Sequence, residues 1–90
     1  MRTLRLSGAF KRDFKRIGRR GYPLEKLDQI VDALRTGQTL PQASRVHRLK
    51  GAWKGYHECH VGPDWLLIYQ LSPEELLLAR TGTHADLFDE

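Results

Sequence analysis

The apolar residues of this 90-residue chain change period once, and that change limits the folds open to it. Up to Leu34 they recur at helical spacing. Phe10, Phe14 and Ile17 form one stripe, and Leu24, Leu27, Ile30, Val31 and Leu34 form a second. From His47 onward the apolar residues fall instead into strand-sized blocks separated by turn residues. Two helices this short are not stable alone and must pack on a partner layer, which the second half supplies as a sheet.

The boundaries follow from local chemistry. Arg2 to Leu6 reads as a strand, Ser7 as the N-cap of the first helix, and Gly18 and Gly21 as its end. Pro23 suits the first turn of the second helix, and Gly37 its C-terminal stop. Thr39 to Ser44 is a connector. Strands are expected over Arg45 to Lys50, Trp53 to Val61, Trp65 to Leu71 and Leu76 to Gly82. The short links between them imply an antiparallel meander. The expected fold is therefore α+β, in the order β-α-α-β-β-β-β, as a single domain over residues 1–90 with no internal repeat, linker or low-complexity segment.

Charge is distributed unevenly. All Lys and Arg residues except Arg80 lie at or before Lys54, whereas most acidic residues lie after Gly55. Lys11, Arg12, Lys15, Arg16 and Arg19 cover the polar faces of the first helix, and Arg48, Lys50 and Lys54 follow in the second half of the basic region. Like charges at i,i+4, such as Lys11–Lys15 and Arg12–Arg16, repel each other, so a polyanionic ligand that neutralises them accounts for the pattern better than solubility alone. No segment is long and apolar enough to span a bilayer, and the N-terminus lacks the apolar core of a signal peptide. With one cysteine, Cys59, no internal disulfide can form, and a cytoplasmic location is the simplest expectation.

Histidines occupy suggestive places: His47 in the basic stretch, His60 before Gly62-Pro63-Asp64-Trp65, and His84 after Arg80-Thr81-Gly82-Thr83. Imidazole exchanges protons near neutral pH, and arginine can hold charge developing on phosphorus. Each residue also has a plainer use. Trp65 can fill the core, Asp64 can shape a turn, Phe88 can tie down the tail, and Arg80 can pair with Glu58 or Asp86. His57, Cys59 and His60 resemble metal ligands, but strand alternation sends His60 to the opposite face from the other two. No metal and no other cofactor is expected.

The segments Gly51-Ala52-Trp53-Lys54-Gly55-Tyr56, His60 to Tyr69 and Arg80 to Phe88 resemble the YafQ-type toxins of the RelE/ParE toxin–antitoxin superfamily, over nearly the whole chain. The resemblance implies a RelE-like (microbial ribonuclease-like) fold and a ribosome-dependent mRNA endonuclease, an mRNA interferase. Such an enzyme enters the A site of the 70S ribosome, directs the 2′-OH of the mRNA onto its own phosphate without metal, and inhibits translation. His47, His60, Asp64, Arg80 and His84 match the family's catalytic positions, and Trp65 and Phe88 its substrate-stacking positions. His84 suits the general acid and His47 the general base, with His60 and Asp64 relaying protons or orienting the imidazoles, and Asp64 as base a variant. Contacts to rRNA fall to the basic residues named above. A DinJ- or RelB-like ribbon-helix-helix antitoxin is the implied partner, with operator DNA bound through that complex and no membrane involved. Two alternatives need none of these histidines: a non-enzymatic ParE-like gyrase binder and a plain nucleic-acid-binding domain.

Overall fold

The computed structural model describes residues 1–88; Asp89 and Glu90, counted above among the acidic residues, lie outside the described residues. The chain forms β1 (Thr3–Leu6), α1 (Gly8–Arg19), α2 (Leu24–Thr36), β2 (His47–Arg48), β3 (His57–Gly62), β4 (Trp65–Leu71), β5 (Glu75–Gly82) and α3 (His84–Phe88). The sheet order is β1-β5-β4-β3-β2. Strands β2 to β5 form the expected antiparallel meander. The N-terminal strand joins β5 in parallel, so the five-stranded sheet is mixed.

The helices end where capping chemistry places them. Ser7 Oγ accepts the Phe10 N–H at 2.9 Å and opens α1. Gly37 closes α2 at φ 77°, in the left-handed region where glycine carries no Cβ penalty. Gly18 does not break α1, which runs on to Arg19 before Gly21 turns the chain. The first apolar stripe is also narrower than expected: Phe14 is 37% exposed, and the inward face reads Phe10, Asp13, Ile17. Phe14 sits at the rim, its ring stacked on Phe10 at 6.0 Å.

Alternation divides the core between the two sheet faces. Ile17, Leu27, Ile30 and Leu34 from the helices meet Cys59, Leu67, Tyr69, Leu76 and Leu78 on one face. On the other, Leu66, Ile68 and Ala79 pack with Leu87 of α3, and with Trp53 and Tyr56 from the β2–β3 connection. This second layer is thinner, and it leaves part of that face open.

Three strand expectations require correction. β2 shrinks to two residues because Arg45 (φ 48°) and Gly51 (φ 66°) bend the chain on either side. The segment before β3 becomes a 3-10 turn at Gly51–Trp53 and not strand. β5 carries a bulge: Tyr69 pairs with Leu78 but Ile68 pairs with Arg80, so Ala79 is the extra residue. The bulge ends the alternation at Leu78. Arg80 therefore leaves the face of Leu76 and Leu78, on which unbroken alternation would put it, and stands opposite Ile68.

Strand β1 stops at the Leu6–Leu78 pair, which leaves the next residues of β5 without a strand neighbour on that side. Asp13 of α1 fills the gap. Its Oδ2 accepts the Thr81 N–H at 3.2 Å and Arg80 Nε at 2.6 Å, while Oδ1 accepts Arg80 Nη2 at 3.0 Å. At 1% exposure, this carboxylate is buried and fully partnered. Replacing it with alanine strips the Arg80 guanidinium of its ion partner and leaves a buried backbone N–H unpaired. We expect Asp13→Ala to cost about 3 kcal/mol in urea unfolding, with Asp13→Asn intermediate. A loss below about 1 kcal/mol would show that the ion pair does not hold α1 to the sheet.

Candidate active site

The open face gathers the candidate residues at the β2–β3 pair and where the β3–β4 turn meets α3. Pro63-Asp64 turns β3 into β4, with Asp64 in the left-handed region at φ 47°, a conformation Asp tolerates. There its Oδ1 accepts the His84 backbone N–H at 3.0 Å and pairs with His84 Nδ1 at 2.7 Å. These two bonds hold the Asp64 carboxyl below its usual range. An ionised carboxylate only accepts, so Nδ1 carries the proton and Nε2 is the nitrogen that exchanges a proton with another group. His60 lies beside His84 with ring centroids 6.3 Å apart, and Phe88 lies one helical turn on at 6.4 Å.

His47 belongs to a second pair. It stands directly opposite Glu58 across β2 and β3, and its Nε2 pairs with Glu58 Oε1 at 2.9 Å. Glu58 is 5% exposed. An ionised carboxylate only accepts, so with Glu58 ionised Nε2 carries the proton and Nδ1 is the nitrogen left to exchange one. Glu58 and His60 share a strand face two residues apart, roughly 6.6 Å along the strand. Glu58, Ile68 and Arg80 lie in one cross-strand row, and His60 and Leu66 lie in the next. His47, His60 and Arg80 thus share a face with the Asp64–His84 pair at its end.

Three expectations change. Trp65 is 3% exposed; its indole N–H donates to Thr81 Oγ1 at 3.0 Å and its ring meets Tyr22 edge-on at 5.0 Å. It fills the core and is not available to stack on a base. Arg80 pairs with neither Glu58 nor the Asp86 carboxylate. Asp13 holds it and raises its pKa, leaving Nη1 as the guanidinium nitrogen not bonded to that carboxylate. Arg16, expected on the phosphate-binding face, lies 3.6 Å from both Asp13 and Asp86. Lys11, Arg12, Lys15, Arg19, Arg48, Lys50 and Lys54 are exposed, as a polyanion-binding surface requires.

Sequence reasoning missed Glu58, Asp13 and Asp86. Glu58 shares a strand face with His60, and Asp13 sits on the apolar stripe of α1 between Phe10 and Ile17; both signals were present. The third signal is the Thr83-x-x-Asp86 capping pattern ahead of Leu87. Arg20 and the Thr83 N–H hold the Asp86 carboxyl well below its ordinary range. Its contribution to stability is therefore present in full above the ordinary carboxylate range and is lost only as pH falls through the depressed value.

His57 and Cys59 face the helices, away from His60. His57 stacks on Tyr69 at 5.6 Å, and burial pushes the Cys59 thiol up to about 12. Among the described residues no group of three or more His, Cys, Asp or Glu side chains could hold a metal ion. A groove of about 870 Å³ opens beside His60 and Asp64 and runs past Ile30 and Leu40 toward Lys26 and Arg45.

Residues 2–89 match the family of the bacterial toxin of type II toxin–antitoxin systems, YafQ. The chain belongs to this family. It is 41% identical over 88 residues to the mRNA interferase toxin YafQ of Escherichia coli K12, covering 97% of this chain and 96% of that protein. The YafQ chain in a crystal structure of the E. coli DinJ–YafQ toxin–antitoxin complex superposes with a TM-score of 0.89 at 41% identity, covering 97% of each chain. A metal-bound toxin from Helicobacter pylori superposes at 0.90 with 40% identity, covering 98% of this chain and all of that one.

These assignments separate the buried groups from the reactive ones. The Cys59 thiol should resist iodoacetamide at pH 8 in the native protein and react in urea. Trp65→Phe should lower stability by about 1 kcal/mol through the lost bond to Thr81 and leave ligand affinity unchanged, checked by thermal melts and RNA titration. Native alkylation of Cys59, or weakened RNA binding at full stability in Trp65→Phe, would contradict these placements.

Proposed function

We propose that this chain is the toxin of a type II pair and a ribosome-dependent endoribonuclease that cuts mRNA in the A site. The observation that carries the reading is the pair of histidine–carboxylate couples, His84–Asp64 and His47–Glu58, on the open sheet face of a YafQ-family chain. Cleavage by an internal 2′-OH needs a base for the hydroxyl proton, an acid for the departing 5′ oxygen and a cation for the phosphorane oxygens. His47 takes the first proton at Nδ1, with Glu58 fixing its ring. His84 gives the second from Nε2, with Asp64 fixing the tautomer and balancing the charge of the imidazolium. His60, beside His84, relays protons or orients the ribose. Arg80 contributes charge through Nη1, and Phe88 stacks on a base. The 2′ oxygen bonds to phosphorus as the 5′ oxygen leaves, giving a 2′,3′-cyclic phosphate and a 5′-OH with no metal in the step.

The exposed cations of α1 and of Arg48 to Lys54 suit rRNA phosphates, with the salt dependence such contacts bring. The partner in the E. coli complex is DinJ. A DinJ-like antitoxin, acidic and folding on this basic surface, is the corresponding partner here, and it carries operator-DNA binding for the complex. Action on translating ribosomes implies a cytoplasmic location. No helix of the described residues is long and apolar enough to cross a membrane.

The test is a defined mRNA incubated with purified protein, with and without programmed 70S ribosomes. Cuts at discrete codons in the ribosome sample only, ending in cyclic phosphate, are expected. His84→Gln should slow them by about 10²–10⁴-fold without altering the fold by circular dichroism. Folded, antitoxin-free protein that cuts in neither sample would overturn the reading and turn attention to gyrase.

A further inference from the structure

His84 and Phe88 ride on α3, a helix of five residues that has no stability of its own. Its position is set from outside. Thr83 and Asp86 form a reciprocal cap: Asp86 Oδ2 accepts the Thr83 N–H at 3.0 Å, and Thr83 Oγ1 accepts the Asp86 N–H at 3.1 Å. The same Asp86 carboxylate takes both arms of Arg20, Nη1 on Oδ2 at 2.7 Å and Nη2 on Oδ1 at 3.1 Å. Arg16 lies 3.6 Å from Oδ1. Strand β5 is shaped to admit it: Gly82 has φ 150°, and a Cβ there would lie 2.8 Å from Asp86 Oδ2 and 3.0 Å from its Cβ.

We propose that Asp86 and Arg20 are positioning residues that fix the acid histidine by clamping α3 to α1. An exposed single ion pair is worth little. This one is bidentate, shares its carboxylate with a helix cap, and holds two residues on the one turn that carries His84. The Asp64 bonds fix His84 from the turn side, and the Asp86–Arg20 clamp fixes its backbone from the helix side. Two cations of α1 and its C-terminal end, Arg16 and Arg20, therefore serve the site from within the molecule, while Lys11, Arg12, Lys15 and Arg19 remain on its outer surface.

The inference rests on the proposed cleavage reaction, and its test separates the two. Arg20→Gln and Asp86→Asn each break the ion pair while sparing the cap, since the side-chain amide oxygen of the Asp86→Asn variant still accepts the Thr83 N–H. Each should lower kcat for ribosome-dependent cleavage by about tenfold with KM within about twofold of wild type. The double variant should be no slower than either single, as expected for two halves of one device. Asp86→Ala loses the cap as well and should be slower still. Independently of activity, native-state hydrogen exchange at the His84 amide should quicken in all three single variants and most in Asp86→Ala. Unchanged kcat, losses that multiply in the double variant, or wild-type exchange at His84 would overturn the clamp. If wild-type protein cuts no RNA, the cleavage reading fails, and the exchange rates alone decide whether Asp86 and Arg20 position His84.

Discussion

The structure depends on one buried carboxylate. Asp13 stands on the inward face of α1, where Phe10 and Ile17 would lead one to expect a third apolar side chain, and completes the edge of β5 that β1 leaves open. A carboxylate at such depth is tolerated only when its lone pairs are filled, and here a guanidinium and a backbone N–H fill them. The consequence reaches beyond stability. Asp13 fixes the end of β5 on which Arg80 and Thr81 sit, and Thr81 Oγ1 in turn receives the Trp65 indole N–H and donates to the Leu66 carbonyl at 2.8 Å. Strand β5 leads directly into α3 and His84. The α1–β5 contact is therefore the base on which one end of the site is built.

Acid residues do most of the orienting. Asp64 and Glu58 each hold one nitrogen of a histidine and leave the other, Nε2 of His84 and Nδ1 of His47, to exchange a proton. Asp13 holds Arg80 in the same way. The basic half of the chain and the acidic half meet in these pairs, so the uneven charge distribution is in part an internal device. The cations that remain outside after this pairing, on α1 and between Arg48 and Lys54, form the surface left for a polyanion.

The class of fold and the order of elements were legible because period and turn chemistry agreed from Ser7 to Leu71. The parallel partnership of β1 with β5 was not, since it joins residues separated by most of the chain and leaves no local pattern. The bulge at Ala79 was equally silent: one added residue in an apolar strand alters no composition, yet it moved Arg80 across the sheet. In the site, histidines and Asp64 were visible by residue type and by resemblance. The carboxylates that position them were harder to see, because Glu58, Asp13 and Asp86 are ordinary singly and gain meaning only beside a neighbour from another element. Trp65 shows the reverse case, a residue type suited to stacking on bases that tertiary packing takes into the core.

In the proposed reaction two oppositely oriented histidines share the proton transfers of a metal-free phosphate cleavage. Its most direct measurement is the pH dependence of single-turnover mRNA cleavage on programmed ribosomes, in EDTA, for wild type, His47→Gln and His84→Gln. A bell-shaped wild-type profile is expected, with the acid limb missing in His47→Gln and the alkaline limb missing in His84→Gln. A profile whose two limbs survive unchanged in both variants would contradict it.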